Sequence, residues 1–206
     1  MNTKAPNDIS DEVPIRHVTQ LLVEGKDLWN VAIAHLNSLG RHDVDVHDFG
    51  GVDQLADFLA GFVAHPRFFS VISIGIIRDA EESARSAWQS VQSACREVGL
   101  SDSQGLGTGP AVSVFILPDG KESGMLETLL WATIRCSPEA DCVEDFLACV
   151  DRIPGRTTKR RDKARLHAWI ASQAQPGVSV GVAALKKYLP LQHPALEGFR
   201  TFLRNL

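Results

Sequence analysis

No apolar run in the chain approaches the roughly 20 residues that a membrane-spanning helix needs. The polar, acidic N-terminus up to Pro14 has no signal-peptide pattern. There is no excess of positive charge: Lys and Arg number 21 against 25 Asp and Glu, and the formal net charge is −4. A broadly basic surface made for nucleic acid is therefore excluded, although a local basic patch is not. Four cysteines, Cys95, Cys136, Cys142 and Cys149, form no C-x-x-C pair. Free buried thiols in a reducing cytoplasm are the expectation. The histidines, including His42, His47 and His167, form no H-E-x-x-H or H-x-x-x-H pattern, which argues against zinc. Ser73 and Ser83 lack a G-x-S-x-G setting, so an α/β-hydrolase nucleophile is unsupported. Gly105–Gly109 is glycine-rich but precedes a strand and has no Walker lysine, so a loop is expected there.

What remains is a chain of 206 residues, 44% hydrophobic and 22% charged, with enough length for a real core. Strands and helices alternate along it. Residues 16–23 predict a first strand, followed by Leu28, Ala32, Leu36 and Leu39 at helical spacing, with Gly40 as a stop. Residues 43–49 alternate polar and apolar, as an edge strand does. Leu55, Phe58, Leu59, Phe62 and Val63 mark a second helix, ended by Pro66. The nearly continuous apolar stretch 69–78 predicts a central parallel strand. A third helix is expected over about 81–98, packing through Trp88 among others, then a loop at 101–110 and a fourth strand at 111–117. Helical patterns follow at about 125–151, 160–174, 179–188 and 195–204. The expected fold is a four-stranded parallel α/β sheet, Rossmann-like, in the order 2-1-3-4 with helices on both faces. Its expected organisation is a flexible arm at 1–14, a core domain at 15–151 and a helical C-terminal extension at 152–206 packed on it.

The acids fall where that fold would use them. Glu24 follows the first strand, with Gly25 to turn the backbone and Asp27 just beyond. The third strand ends in Asp79-Ala80-Glu81, the fourth in Pro118-Asp119, and Glu127 opens the next helix. Ligands of open α/β sheets bind beyond the carboxyl ends of the strands. Carboxylates brought together there repel unless a cation lies between them, and hard oxygen donors suit Mg²⁺ or Mn²⁺. Each acid also has a purely structural role open to it. Asp79 with Glu82 fits an N-cap pair, Asp27 fits a cap of the first helix, and Glu127 fits a first helical turn. Residues 156–165 hold six basic residues, among them Arg156, Lys159, Arg160, Arg161 and Lys163, and suit either phosphate contact or a solvated surface.

Val23-Glu24-Gly25-Lys26-Asp27, Asp79-Ala80-Glu81 and Gly124-Met125-Leu126-Glu127 together resemble the Toprim fold of topoisomerases, bacterial primases and the overcoming-lysogenisation-defect (OLD) nucleases. The resemblance covers about residues 16–170 and is nearest to small stand-alone Toprim-like proteins. It departs from the family pattern at Leu28, where many relatives carry an acid, and at Glu81, where the pattern has Asp. Both departures leave a one-metal or decayed site open. The resemblance implies a Mg²⁺- or Mn²⁺-dependent phosphodiesterase acting on DNA or RNA. Glu24, Asp79, Glu81, Glu127 and Asp27 would hold metal, Lys163 would contact the scissile phosphate, and Lys26, Arg156, Lys159, Arg160 and Arg161 would bind nucleic acid. Tyr188, the single tyrosine, lies in the tail, so hydrolysis fits better than strand passage. OLD-type nucleases carry an ATPase segment and these residues do not, so the resemblance leaves a partner ATPase open. Two other functions fit the same residues: a non-catalytic nucleotide- or metal-binding module, and a receiver-like domain phosphorylated on Asp79.

Overall fold

The computed structural model describes residues 13–100 and 109–206. The expected arm up to residue 12 and most of the loop at 101–110 lie outside the described residues. Four strands, β1 (Thr19–Val23), β2 (Val44–Asp48), β3 (Ser73–Asp79) and β4 (Ala111–Leu117), form one parallel sheet in the order β2-β1-β3-β4. Helices α1 (Lys26–Ser38), α2 (Leu55–Val63) and α3 (Ala84–Glu97) alternate with the strands. Five more follow β4: α4 (Leu126–Ile134), α5 (Pro138–Asp151), α6 (Arg161–Ala171), α7 (Val180–Leu185) and α8 (Glu197–Arg204). Among the described residues no helix is long and apolar enough to cross a membrane.

Side-chain alternation along the strands divides the core into two layers. Leu21, Val23, Ile77 and Leu117 face one side and pack with α1, α4, α5, α6, α7 and α8. Leu22, Ile74, Ile76, Val112 and Ile116 face the other and pack with α2 and α3. Strand β1 is buried at all five positions, as the centre of a covered parallel sheet must be, whereas only His47 is buried in β2, the edge strand.

Several elements differ from their expected bounds. Strand β3 starts at Ser73 because Phe68–Ser70 coil into a 3₁₀ turn, closed by Val71 N–H on the Phe68 carbonyl. The helical stretch 125–151 breaks in two at Ser137, whose hydroxyl accepts from Ala140 N–H, and Pro138 then opens α5. Helix α3 is capped by Ser83, whose hydroxyl accepts from Ser86 N–H, so Asp79 and Glu82 are not its cap. Trp88 is 46% exposed and not a packing anchor of that helix. Of the four thiols only Cys95 is buried; Cys136, Cys142 and Cys149 are exposed.

Candidate active site

Two backbone devices build the carboxyl rim of the sheet. Gly25, at φ 85°, turns the chain from β1 into α1 in a conformation that costs a residue with a side chain about 1 kcal/mol or more. Its N–H donates to Asp48 Oδ1, which also accepts from Gly50 N–H, so the ends of β1 and β2 are locked together. Glu24 is thereby left at the top of β1. On the other side, Glu81 and Gly124 form an isolated antiparallel bridge, each N–H donating to the other's carbonyl at 2.8 Å. The bridge ties the segment after β3 to the start of α4. Gly124 sits at φ 141°, and a Cβ there would lie 2.9 Å from Thr128 Oγ1 and 3.2 Å from Pro118. Glu81 itself adopts φ 52°, an unusual conformation for a residue with a side chain.

The rim that results carries four acids from three segments. Glu24 Oε2 accepts from Asp79 N–H at 3.3 Å, so the ends of β1 and β3 are in direct contact. Asp79 Oδ1 accepts from Leu126 N–H at 2.8 Å, which joins the end of β3 to the first turn of α4. Glu127, one residue on, is 7% exposed. Burial first, then the charges of Glu24, Glu127 and Glu81, push Asp79 up to about 7 against the pull of the Leu126 amide. Glu24 is also raised, mainly by burial, with Arg78 and the Asp79 amide opposing.

Three of these acids already face a base. Arg78 Nε lies 3.6 Å from Glu24 Oε2, Lys163 Nζ lies 3.5 Å from Glu127 Oε1, and Arg160 Nη2 lies 3.9 Å from Glu81 Oε2. Asp79 has no ion-pair partner among the described residues. Glu81, Gly124, Thr128, Lys159, Arg160 and Arg161 line an open cleft of about 450 Å³ beside the rim.

The remaining candidates lie around the rim with partners of their own in some cases and none in others. Asp27 Oδ1 accepts from Gly181 N–H at 2.8 Å, tying α1 to the first turn of α7. Lys26 Nζ stands 3.9 Å above the Trp29 ring, whose indole N–H donates to the Val46 carbonyl on the β2 edge. Arg161 is committed to Glu144 and Asp151 on α5, and Arg165 to Glu144 and Asp162. The basic run is thus partly neutralised within its own fold. Arg156 is exposed and Lys159 lines the cleft. Asp119 is a turn residue, held low by the amides of Glu122 and Lys121. Sequence reasoning passed over Arg78. Its signal is a charged residue at the penultimate place of an otherwise apolar strand, where only a partner at the strand end makes burial tolerable.

In chemistry, clustered carboxylate oxygens fit Mg²⁺ or Mn²⁺. In placement the fit is incomplete: among the described residues no group of three His, Cys, Asp or Glu side chains stands ready to hold a metal ion.

A parallel α/β sheet with an acid-rich carboxyl rim is the class of protein that fold and site define. The chain belongs to the family described as a protein of unknown function (DUF3226), whose model matches residues 18–206. No curated protein matches it. Among solved structures it is similar to the C-terminal region of the Xanthomonas campestris pv. campestris OLD protein, at 13% identity and a TM-score of 0.39, over 94% of this chain and 88% of that one.

Proposed function

We propose that the protein is a Toprim-type phosphodiesterase that cleaves DNA or RNA with Mg²⁺ or Mn²⁺. The observation that carries this reading is the meeting of Glu24, Asp79 and the first turn of α4 at one rim, through the 3.3 Å and 2.8 Å contacts, with Lys163 beside Glu127. Glu24, Asp79, Glu81 and Glu127 would hold the ion. When bound, it would supply a water of lowered pKa and neutralise charge on the phosphoryl oxygens. The chain's own residues do the rest. Lys163 and Arg160, exposed along their side chains, leave Glu127 and Glu81 to contact the scissile phosphate and stabilise the departing oxygen. Lys159 and Arg156 extend the basic contact along the backbone of the nucleic acid. The segment 152–206 acts as the helical extension that brings these bases onto the rim of the 15–151 unit. An ATPase is the protein partner this reading implies, in the cytoplasm.

The test is cleavage of supercoiled plasmid, single-stranded DNA and RNA with Mn²⁺ or Mg²⁺, with Glu24→Gln and Asp79→Asn as controls. Loss of metal-dependent cutting in both variants is expected. Equal cutting by wild type and variants would overturn the reading.

One observation favours a second reading, a non-catalytic binding module. Three of the four acids are already paired with bases, and no ready-made metal cage exists among the described residues. No Mg²⁺ or Mn²⁺ binding by calorimetry at millimolar ion, with no cleavage of any of the three substrates, would select it.

A further inference from the structure

We infer that the outer face of α5 is the interface of a two-fold dimer, in which two copies of this chain pack their α5 helices antiparallel. The inference is independent of what the acidic rim binds.

The residues of α5 fall on three faces. Ala140, Val143 and Leu147 are buried in the core. Glu144 and Asp151 face α6, where Arg161 and Arg165 take them up. The third face is turned to solvent, and it is apolar. Cys142, Phe146 and Cys149 follow one another along it in steps of four and three, and Ile153 comes four residues later. Arg152 N–H on the Cys149 carbonyl and Ile153 N–H on the Val150 carbonyl carry the coil past Asp151, which keeps Ile153 close to the line of the stripe. Steps of three and four hold side chains on one side of a helix, the spacing of a helix-to-helix seam. Phe146 is 56% and Ile153 51% exposed, and both thiols are exposed. Thiols count as small apolar groups, so the four side chains make one continuous strip that water leaves uncovered.

The charges beside the strip identify the partner as a second copy. Asp145 and Arg152 flank it on the same side, two turns apart. Two turns are about 10 Å of rise, too far for one to reach the other. Neither has an ion-pair partner among the described residues, whereas Glu144 and Asp151 on the α6 face are both paired. A second α5 laid antiparallel, with Phe146 against the partner's Cys149 and Cys142 against the partner's Ile153, sets Asp145 opposite the partner's Arg152. The two-fold axis repeats every contact, so the apolar layers and the ion pair each occur twice. A parallel pair would set Asp145 beside the partner's Val150 and Arg152 beside the partner's Thr157, leaving both charges unmet. The surface is therefore self-complementary in one orientation, as an isologous interface requires. One 14-residue helix per protomer covers less than the roughly 1,600 Å² of a standard interface. The dimer should be reversible, with a Kd of roughly 1–100 μM.

The experiment is sedimentation velocity and light scattering of the full chain from about 1 to about 300 μM, a range that brackets the expected Kd. Low salt preserves the ion pairs, and a reductant keeps the exposed thiols from cross-linking. Wild type should pass reversibly from monomer to dimer, and Phe146→Asp should stay monomeric. Asp145→Arg and Arg152→Asp should each weaken the dimer at least about tenfold, since each turns two attractions into two repulsions. The double variant carrying both changes should return to within about threefold of wild type. An equal mixture of the two single variants should also associate as wild type does, because each supplies the charge that the other lacks. A wild type that is monomeric throughout, a dimer unaffected by Phe146→Asp, or reversals that the double variant does not rescue would each overturn the inference. Should Phe146→Asp fail to fold by circular dichroism, the charge exchange at the exposed Asp145 and Arg152 still decides.

Discussion

Two aspartates of one sheet sit in opposite electrostatic states. Asp45, early in β2 and in register with Gln20 of β1, accepts hydrogen bonds from Arg16 N–H, His17 N–H and Gln20 Nε2, and His17 Nδ1 lies 2.9 Å from its Oδ1. Burial pushes its carboxyl up, but these donors more than offset it and hold the group down at about 2. Asp79, closing β3, is raised to about 7 by burial and by three neighbouring acids, against one amide. The residue type is the same and both are part-buried. What differs is whether the fold supplies donors or rivals. A carboxylate surrounded by donors is fastening a structure; one surrounded by carboxylates costs stability that a proton or a bound cation returns.

The sharpest break between the two ends is catalytic. Asp79→Asn should lower metal-dependent cleavage by about a thousandfold, or about 4 kcal/mol of transition-state stabilisation. Asp45→Asn should leave cleavage within about twofold, because it changes nothing at the rim. Single-turnover assays on the two purified variants check this. Comparable losses in both would mean that the rim is not the site of chemistry.

Stability should move the other way. Asp45→Ala leaves the amides of Arg16 and His17 and the Gln20 side chain without their acceptor, a loss of about 2–3 kcal/mol. Asp79→Asn removes a crowded charge and should raise stability by about 1–3 kcal/mol in the absence of metal at pH 8. Urea denaturation with unchanged m-values reads both. A destabilised Asp79→Asn would show that the Leu126 amide contact outweighs the repulsion.

Acid separates the two ends further. The folded pKa of Asp45 is depressed from 3.8, so its contribution is present above pH 3.8 and lost as pH falls through about 2. His47, whose Nε2 lies 2.7 Å from Gln20 Oε1, is lowered from 6.5 to about 4, chiefly by burial. Its stability is present above pH 6.5 and declines as pH falls toward 4, by about 2 kcal/mol at pH 5. Asp79 has the opposite sign: its folded pKa is raised from 3.8, so its penalty is absent below 3.8, grows as pH rises to about 7 and is constant above that. The prediction is that His47→Gln flattens the fall in stability between pH 6.5 and 5, and that Asp79→Asn removes a loss of stability that accrues as pH rises from about 4 to about 7. Chemical denaturation at three or four pH values is sufficient to see either.

The fold was legible because its signals are local or periodic. The apolar run before Glu24, the alternation at 43–49 and the unbroken Val71–Ile77 core gave the strands and their order. The rim acids were legible as a set because strand ends converge in this topology. The partners of those acids were not. Asp27 is drawn to Gly181, 154 residues away, and no local pattern distinguishes that contact from a helix cap or a metal ligand. Glu144 and Asp151, which take up Arg161, are equally remote from any motif, so the basic run looked more available than it is. Ser83 displaced Asp79 as cap of α3 through a three-residue difference in helix start, smaller than sequence patterns resolve.

The smallest expected effect tests which of the bases near the cleft are free to serve the rim. Removing a base that touches a phosphate should reduce the slope of log affinity against log salt by about 1. Arg160→Ala and Lys159→Ala should each do so, because one has only a 3.9 Å partner in Glu81 and the other lines the open cleft. Arg161→Ala should not change the slope, although it belongs to the same run, since its guanidinium is held by Asp151 and Glu144; it should instead loosen the junction of α5 and α6 and lower the melting temperature. Fluorescence anisotropy with a short oligonucleotide at several salt concentrations separates the outcomes. Equal slopes for all three variants would mean that charge count, not its placement against the acids, governs binding, and the contrast between donor-filled and acid-filled sites would then stop at the rim itself.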